Sequence, residues 1–234
     1  MKKLGLIGGI GPASTIEYYR GINEGYQKLI PNPAPCGENP EMIIDSLNLS
    51  VAYDLIDRKD WNGFVKLFVY SIYTLYNAGA EIIAISANTA HIVIDEIRDL
   101  SPLPVVSMLD ETCKYAFRIN AQKLIIFGTG FTMSSGMYEK KCAEFGLEAI
   151  IPNSEEKKII HNIIFPNLVN GIVLENDKKE ILRILNNVLL RHDADTLVLA
   201  CTELPLIIKP EDVYIKIIDS TKIHIEAILE QMNS

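Results

Sequence analysis

Short runs of apolar and β-branched residues alternate along this chain with longer segments whose apolar positions recur at helical spacing. The run Thr196–Ala200 is typical of a fully buried strand, and the polar residues Cys201, Thr202 and Glu203 follow it where the chain must leave the sheet. Residues 82–87 form a similar run, which is followed by small and polar residues and then by a helical pattern. The two copies indicate two similar halves.

The full pattern predicts an α/β fold with two pseudo-symmetric doubly wound units, each with a mostly parallel sheet. The predicted strands cover residues 3–8, 42–48, 82–87, 105–109, 124–128, 148–151, 196–200 and 215–219. The predicted helices cover residues 13–29, 60–77, 92–100, 111–119, 155–169, 177–191 and 220–231, with one more around Tyr138 and a short one after Cys201. A proline-rich connection spans residues 31–40.

The predicted first domain comprises residues 1–103 plus 217–234, and the second comprises residues 104–216. Two polar strand ends in one chain predict an active site in the cleft between the domains. Ser134 or Ser135 is the predicted N-cap of the helix around Tyr138, and Ser220 is that of the last helix. Gly79 is expected to end the helix over residues 60–77 in the left-handed conformation.

Charge and composition narrow the classes of partner. The 234 residues carry a formal net charge of −8, and nucleic acid and anionic membrane are therefore disfavoured because both need a basic face. No apolar run reaches the roughly 18 residues of a membrane helix, and the start of the chain does not resemble a signal peptide. We therefore expect a soluble cytoplasmic protein. The cysteines Cys36, Cys113, Cys142 and Cys201 lack CxxC spacing, so reduced thiols are expected rather than a zinc site or disulfides.

The glycine-rich turn at Gly9 and Gly11 follows the first predicted strand. It resembles a dinucleotide-binding fingerprint only superficially, because Ser14 stands where the third glycine belongs and the later acidic residue is missing. A cradle of backbone amides for a small anion and a tight turn that needs glycine are both consistent with it. Pro12 suits a first helical turn.

Cys201 is the candidate catalytic thiol, because a helix N-terminus beside it would depress the thiol pKa. Thr202 is a possible cap for that helix. Asn88 and Thr89 resemble an N-cap with amides that suit a carboxylate. A buried apolar cysteine and simple helix capping are the alternatives at these positions.

Four segments together resemble the aspartate/glutamate racemase family: residues 5–15, 88–91, 135–139 and 200–204. The resemblance implies two pseudo-symmetric α/β domains, often a homodimer, and neither pyridoxal phosphate nor metal. It also implies a two-base mechanism on a dicarboxylic amino acid, in which one cysteine thiolate removes the α-proton and a second cysteine returns a proton.

Cys201 matches one of these cysteines, but Ala87 stands where the other belongs. Alanine has no group that transfers a proton, so the symmetric mechanism cannot operate. A branch of the family with a similar Ser46-Leu47 strand end also lacks this thiol and resembles racemases selective for L-aspartate and L-glutamate. An engineered substitution at Ala87 is the alternative.

The resemblance implies substrate contacts from Gly9, Ser46, Asn88, Thr89, Thr129, Thr132, Lys158 and Thr202. The family's arginine after the second strand has no clear counterpart, since Arg58 comes later. We therefore expect a cofactor-independent racemase of aspartate or glutamate with Cys201 as the surviving catalytic thiol. The alternatives are a single-thiol decarboxylase or isomerase of a dicarboxylate and a catalytically silent carboxylate-binding protein.

Overall fold

Two units divide the chain. The computed structural model describes residues 1–31 and 35–234, so residues 32–34 of the proline-rich connection lie outside the described part. The first unit comprises residues 1–107 and 224–234, and the second comprises residues 108–223. These limits differ by a few residues from the predicted domain limits, because residues 105–106 pair in the first sheet and residues 216–219 pair in the second.

Within the described residues, eight strands form two four-stranded sheets in which every pairing is parallel. The first sheet has the order β2-β1-β3-β4, and the second has the order β6-β5-β7-β8. The strands are β1 Leu4–Gly8, β2 Met42–Ser46, β3 Ile82–Ile85, β4 Val105–Val106, β5 Lys123–Gly128, β6 Glu148–Ile150, β7 Thr196–Ala200 and β8 Lys216–Asp219. The central strands β1, β3 and β7 are buried along their whole length, which explains their unbroken apolar pattern.

Helices connect the strands and confirm the predicted α/β class. They are α1 Pro12–Leu29, α2 Leu49–Asp57, α3 Trp61–Asn77, α4 Ile94–Leu100, α5 Met108–Arg118, α6 Met137–Glu144, α7 Ser154–Ile164, α8 Glu175–His192, α9 Leu204–Ile207 and α10 Ser220–Asn233. Short 3-10 helices cover Asn88–Val93, Leu168–Asn170 and Pro210–Asp212. Among the described residues, no helix is long and apolar enough to cross a membrane.

The helix ends show where local sequence rules hold. Pro12 lies in the first turn of α1, and Gly79 follows α3 with a positive φ of 93°, as predicted. Ser220 is not the cap of α10, because the Asp219 carboxylate accepts the first amides of that helix. Gly136, rather than a serine, occupies the N-cap of α6.

Helix α2 is the main element that the pattern did not predict. Its N-cap is Asn48, whose side chain accepts a hydrogen bond from the Ser50 amide. The sequence pattern places Asn48 at the end of the second strand, but β2 ends at Ser46.

The last helix packs against the first helix within the first unit. Gly21 and Gly25 of α1 face Ile225 and Leu229 of α10, and a Cβ atom at either glycine would press on these side chains. Two glycines one turn apart therefore allow the helices to approach closely.

Candidate active site

Three predicted site positions lie at the carboxyl edge of the first sheet: Gly9, Ser46 and Ala87. In the strand register, Gly8 pairs with Ser46, and Ile7 pairs with Ile85, two residues before Ala87. Residues after each of these strand ends therefore leave the sheet at the same edge, where parallel α/β sheets carry their ligand sites.

Gly9 is required by the turn itself. Its φ is 81°, and a Cβ atom there would overlap the backbone of Leu47. The Gly9 amide donates to Thr15 Oγ1 at 2.9 Å, so this amide already has a partner within the unit. These contacts favour the tight-turn interpretation over the amide cradle.

Ala87 is a buried residue whose backbone is held from two sides. Ser86, directly before it, bonds to Ile7 through both its amide and its hydroxyl, and its carbonyl accepts from Ser14 Oγ at 2.6 Å. The Ala87 carbonyl accepts from His91 Nδ1 at 2.9 Å. The site therefore fixes the position of residue 87, although the alanine side chain carries no proton-transfer group.

Asn88 and Thr89 differ from the prediction in their local structure. They begin a 3-10 helix rather than an α-helix, and its N-cap is Ala87, without a side-chain capping bond. Both residues are half-buried at the sheet edge. The predicted helix from residue 92 begins as α4 only at Ile94, because the 3-10 helix occupies the preceding turns.

In the second unit, Cys201 lies directly after β7 and its thiol donates to Glu203 Oε2 at 2.8 Å. The Thr202 hydroxyl donates to the same carboxylate oxygen, also at 2.8 Å. Thr202 is therefore not the predicted helix cap: α9 begins at Leu204 and has no side-chain capping bond. Glu203 lies in the family-like segment 200–204, but the sequence analysis does not predict it as a site residue.

The pKa of the Cys201 thiol is raised, whereas the sequence analysis predicts that it is lowered. Burial, followed by the charge and hydrogen bond of Glu203, raises the pKa of the Cys201 thiol well above its ordinary value. The backbone amides of Thr202 and Glu203 act in the opposite direction, as a turn at a helix start should, but their effect is smaller. The resting group is a protonated thiol that is hydrogen-bonded to a carboxylate.

A polar turn follows β5, the strand beside β7. Gly128 pairs with Ala200, so Thr129 and Cys201 leave the sheet side by side. Thr129 Oγ1 lies 3.1 Å from Thr132 Oγ1 and accepts from the Thr132 amide at 3.3 Å. The turn thereby links the hydroxyl of the half-buried Thr129 to that of the buried Thr132, beside the strand end that precedes Cys201.

Comparison with known proteins decides the family. A profile described as Asp/Glu/Hydantoin racemase matches residues 7–228. The chain belongs to this family. It is 27% identical over 219 residues to the broad specificity amino-acid racemase RacX of Bacillus subtilis, covering 93% of this chain and 92% of the relative. These findings confirm the family resemblance of the four sequence segments.

Solved racemase structures share the fold. An aspartate racemase homologue from Pyrococcus horikoshii superposes with a TM-score of 0.88 at 35% identity, covering 100% of both chains. The aspartate racemase of Picrophilus torridus superposes with a TM-score of 0.74 at 24% identity, covering 100% of this chain and 95% of that one. The second likeness supports the fold alone.

Lys158 and Arg58, the two basic residues considered in the family resemblance, have different surroundings. Lys158 is exposed on α7 and makes no hydrogen bond or ion pair with another described residue. Arg58 ends α2 and forms an ion pair with Asp54, one turn earlier. Arg58 is therefore engaged on its own helix.

The other cysteines are outside these strand edges. Cys36 is exposed, whereas Cys113 and Cys142 are buried with their sulfurs 3.8 Å apart. The sequence spacing gave no indication of this contact, because 29 residues separate the two. Among residues 1–31 and 35–234, no cluster of three or more histidine, cysteine or acidic side chains could hold a metal ion.

Proposed function

We propose that this chain is a cofactor-independent racemase of acidic amino acids, aspartate or glutamate, in which Cys201 exchanges the α-proton. The hydrogen bond of 2.8 Å from the Cys201 thiol to Glu203 carries the proposal, because it couples a thiol to a proton acceptor at the carboxyl edge of a parallel sheet. Family membership supports the amino-acid substrate.

In the proposed reaction, Glu203 accepts the thiol proton and the Cys201 thiolate then removes the α-proton of the substrate. A thiol of raised pKa gives a more basic thiolate, which suits the weakly acidic α-proton. Thr202 donates to the Glu203 oxygen that accepts from the thiol, and so keeps the carboxylate in line. The electron pair left on the α-carbon is delocalised into the adjacent carboxylate of the substrate.

Ala87 determines which group can donate a proton in the proposed reaction. Because the alanine cannot donate a proton, we propose that water completes inversion of the α-carbon, whereas Cys201 returns a proton with retention. Exchange with solvent should therefore be faster than racemisation. The same asymmetry should make the rate depend on which enantiomer is supplied.

The test is incubation of the purified chain in deuterated water with each enantiomer of aspartate and glutamate, followed by proton NMR and chiral chromatography. We expect loss of the α-proton signal and slower formation of the opposite enantiomer. Cys201→Ala should abolish both, whereas the matched control Cys36→Ala, at an exposed cysteine, should change neither. Unchanged exchange in Cys201→Ala would contradict the proposal.

A decarboxylase is the second candidate, and Ala87 is the observation that favours it. Decarboxylation of a malonate-type acid breaks one carbon–carbon bond, releases carbon dioxide and needs only one proton, which the Cys201 thiol can supply. Carbon dioxide release from a malonate without α-proton exchange of amino acids would select this reaction over racemisation.

A further inference from the structure

Two buried cysteine side chains meet between helices α5 and α6 of the second unit. Cys113 lies on α5 and Cys142 lies on α6, and their sulfur atoms are 3.8 Å apart. Neither side chain is exposed to solvent. The sulfurs of a disulfide are about 2 Å apart, so an approach of about 2 Å, shared between the two side chains, would bond them.

A buried ion pair holds the same two helices together. Asp110 lies one turn before Cys113 on α5, and Lys141 directly precedes Cys142 on α6. The Lys141 ammonium group is 3.1 Å from Asp110 Oδ1, and both residues are buried. Because separating buried opposite charges is costly, this ion pair keeps α5 and α6 in place where the sulfurs meet.

The sulfur contact distinguishes this pair from the other cysteines. Cys36 is exposed, and the Cys201 thiol is hydrogen-bonded to Glu203. A buried cysteine is often only a small apolar residue, but here two thiols from segments 29 residues apart contact each other directly. Two thiols in contact can be oxidised together to a disulfide, whereas a lone buried thiol cannot.

The protonation state of Cys113 follows from its surroundings. The hydrogen bond with Cys142, followed by burial, raises the pKa of Cys113 well above its ordinary value, whereas the charge of Lys141 acts in the opposite direction. Cys113 is therefore a neutral thiol in the folded protein, and an oxidant reaches the pair only when α5 or α6 opens locally. We therefore expect slow oxidation, by a small oxidant.

A bond between the two sulfurs would close a loop that contains part of the second sheet. The chain between Cys113 and Cys142 includes β5 and the turn that begins at Thr129. Strand β5 pairs with β7, which ends directly before Cys201. Closing the loop removes conformational entropy from the opened state of this segment, so opening of β5 should become less frequent.

We propose that Cys113 and Cys142 are a redox pair, which a peroxide converts to a disulfide that stabilises β5. One thiolate attacks a peroxide oxygen: an S–O bond forms, the O–O bond breaks, and the leaving hydroxide takes up a proton to become water. The second thiolate attacks the sulfur of this sulfenic acid, the S–S bond forms, and hydroxide leaves and is protonated to a second water. Two thiols and one hydrogen peroxide thus give one disulfide and two waters. A dithiol reductant reverses the bond by thiol–disulfide exchange.

Peptide mapping by mass spectrometry under non-reducing conditions tests the bond. The protein used is Cys36→Ala, which removes the exposed thiol and leaves the buried pair unchanged. After treatment of the folded protein with hydrogen peroxide, we expect a peptide in which Cys113 is linked to Cys142, and its loss after addition of dithiothreitol. Absence of this link, its formation only in urea, or preferred linkage of either cysteine to Cys201 would overturn the proposal.

Amide hydrogen exchange then tests whether the disulfide stabilises β5. Exchange of the β5 amides should be at least about tenfold slower in the peroxide-treated protein than in the reduced protein. The matched control is the double variant Cys36→Ala/Cys142→Ala, in which peroxide can oxidise Cys201 but cannot form the bond, so its β5 exchange should not change. A link without slower exchange, or equal slowing in the control, would contradict the stabilising role. Neither measurement requires turnover, so both are independent of the proposed racemase activity.

Discussion

The Cys201 thiol donates a hydrogen bond to Glu203 Oε2 across 2.8 Å, and both residues follow the same central strand. The pair places a proton acceptor two residues from the thiol, so that the thiol need not ionise into solvent. In the proposed reaction, this arrangement would let a thiol with a raised pKa act as a base.

Replacing Glu203 should make the Cys201 thiol ionise more readily but should slow catalysis. In Glu203→Gln the charge and the carboxylate hydrogen bond that raise the Cys201 pKa are lost, so the pKa should fall. Alkylation of Cys201 by iodoacetamide at pH 7 should then become faster, while α-proton exchange should fall about 100-fold, as for loss of a general base. Mass spectrometry of the labelled peptide measures the first effect, and NMR measures the second.

The matched control for this experiment is Glu139→Gln, an exposed acid on α6, which should alter neither rate. Slower alkylation in Glu203→Gln would show that the carboxylate promotes rather than opposes thiolate formation. In that case Glu203 could not have the role assigned to it.

Ala87→Cys should make the racemisation rates from the two enantiomers more nearly equal. The backbone of residue 87 is already fixed by Ser86 and His91, and the substitution adds one sulfur atom at this fixed position. A second thiol there should raise the racemisation rate at least about tenfold and narrow the difference between enantiomers. Chiral chromatography from each enantiomer measures both quantities.

Ala87→Ser is the control for the added volume, since a hydroxyl does not titrate near neutral pH. An equal gain in the serine variant would attribute the effect to packing or water rather than to a thiol. If neither variant increases the racemisation rate, residue 87 has no part in the reaction.

The strands could be predicted from the sequence because burial on both faces imposes unbroken apolar runs, as in Thr196–Ala200. Family motifs then located Cys201 and the position of the absent thiol. Both kinds of signal are local in the chain. They were sufficient for the fold class and for the strand ends that carry the candidate site.

Other features depend on three-dimensional contacts that the hydrophobic periodicity of the sequence does not predict. The predicted pKa direction at Cys201 is wrong because burial, followed by the charge and hydrogen bond of Glu203, raises the pKa, and both appear only in three dimensions. The bond from Lys157 to Ser134 spans 23 residues, and nothing in the local sequence marks it. Helix α2 was missed because Asn48 is compatible with either a strand end or a helix cap.

A buried histidine network should make the first unit sensitive to acid. His224 donates from Nε2 to the Val106 carbonyl at 3.0 Å, so its Nδ1 accepts from the Tyr18 hydroxyl at 2.7 Å. Burial, together with neighbouring His91, lowers the pKa of His224 from 6.5 to about 3. The folded state thus keeps this imidazole neutral while the unfolded chain binds a proton below pH 6.5.

The unfolded state binds more protons between about pH 6.5 and pH 3, so the free energy of unfolding should fall as the pH falls through this window. The contribution of His224 to this loss is roughly 2–4 kcal/mol. His224→Gln should be less stable at pH 7 but show a shallower pH dependence in urea unfolding. Parallel pH profiles for the two proteins would contradict the assignment.

The turn before α1 offers a stability test with a neighbouring control. Gly9 and Gly11 both have positive φ, of 81° and 95°, but only Gly9 has backbone in the space of a Cβ atom. Gly11→Ala should therefore cost only conformational strain, about 1–2 kcal/mol. Gly9→Ala adds a collision with the Leu47 backbone and should cost more than about 3 kcal/mol. Urea unfolding measures both, and equal losses would show that the loop after β2 moves aside, so that the close approach does not require glycine.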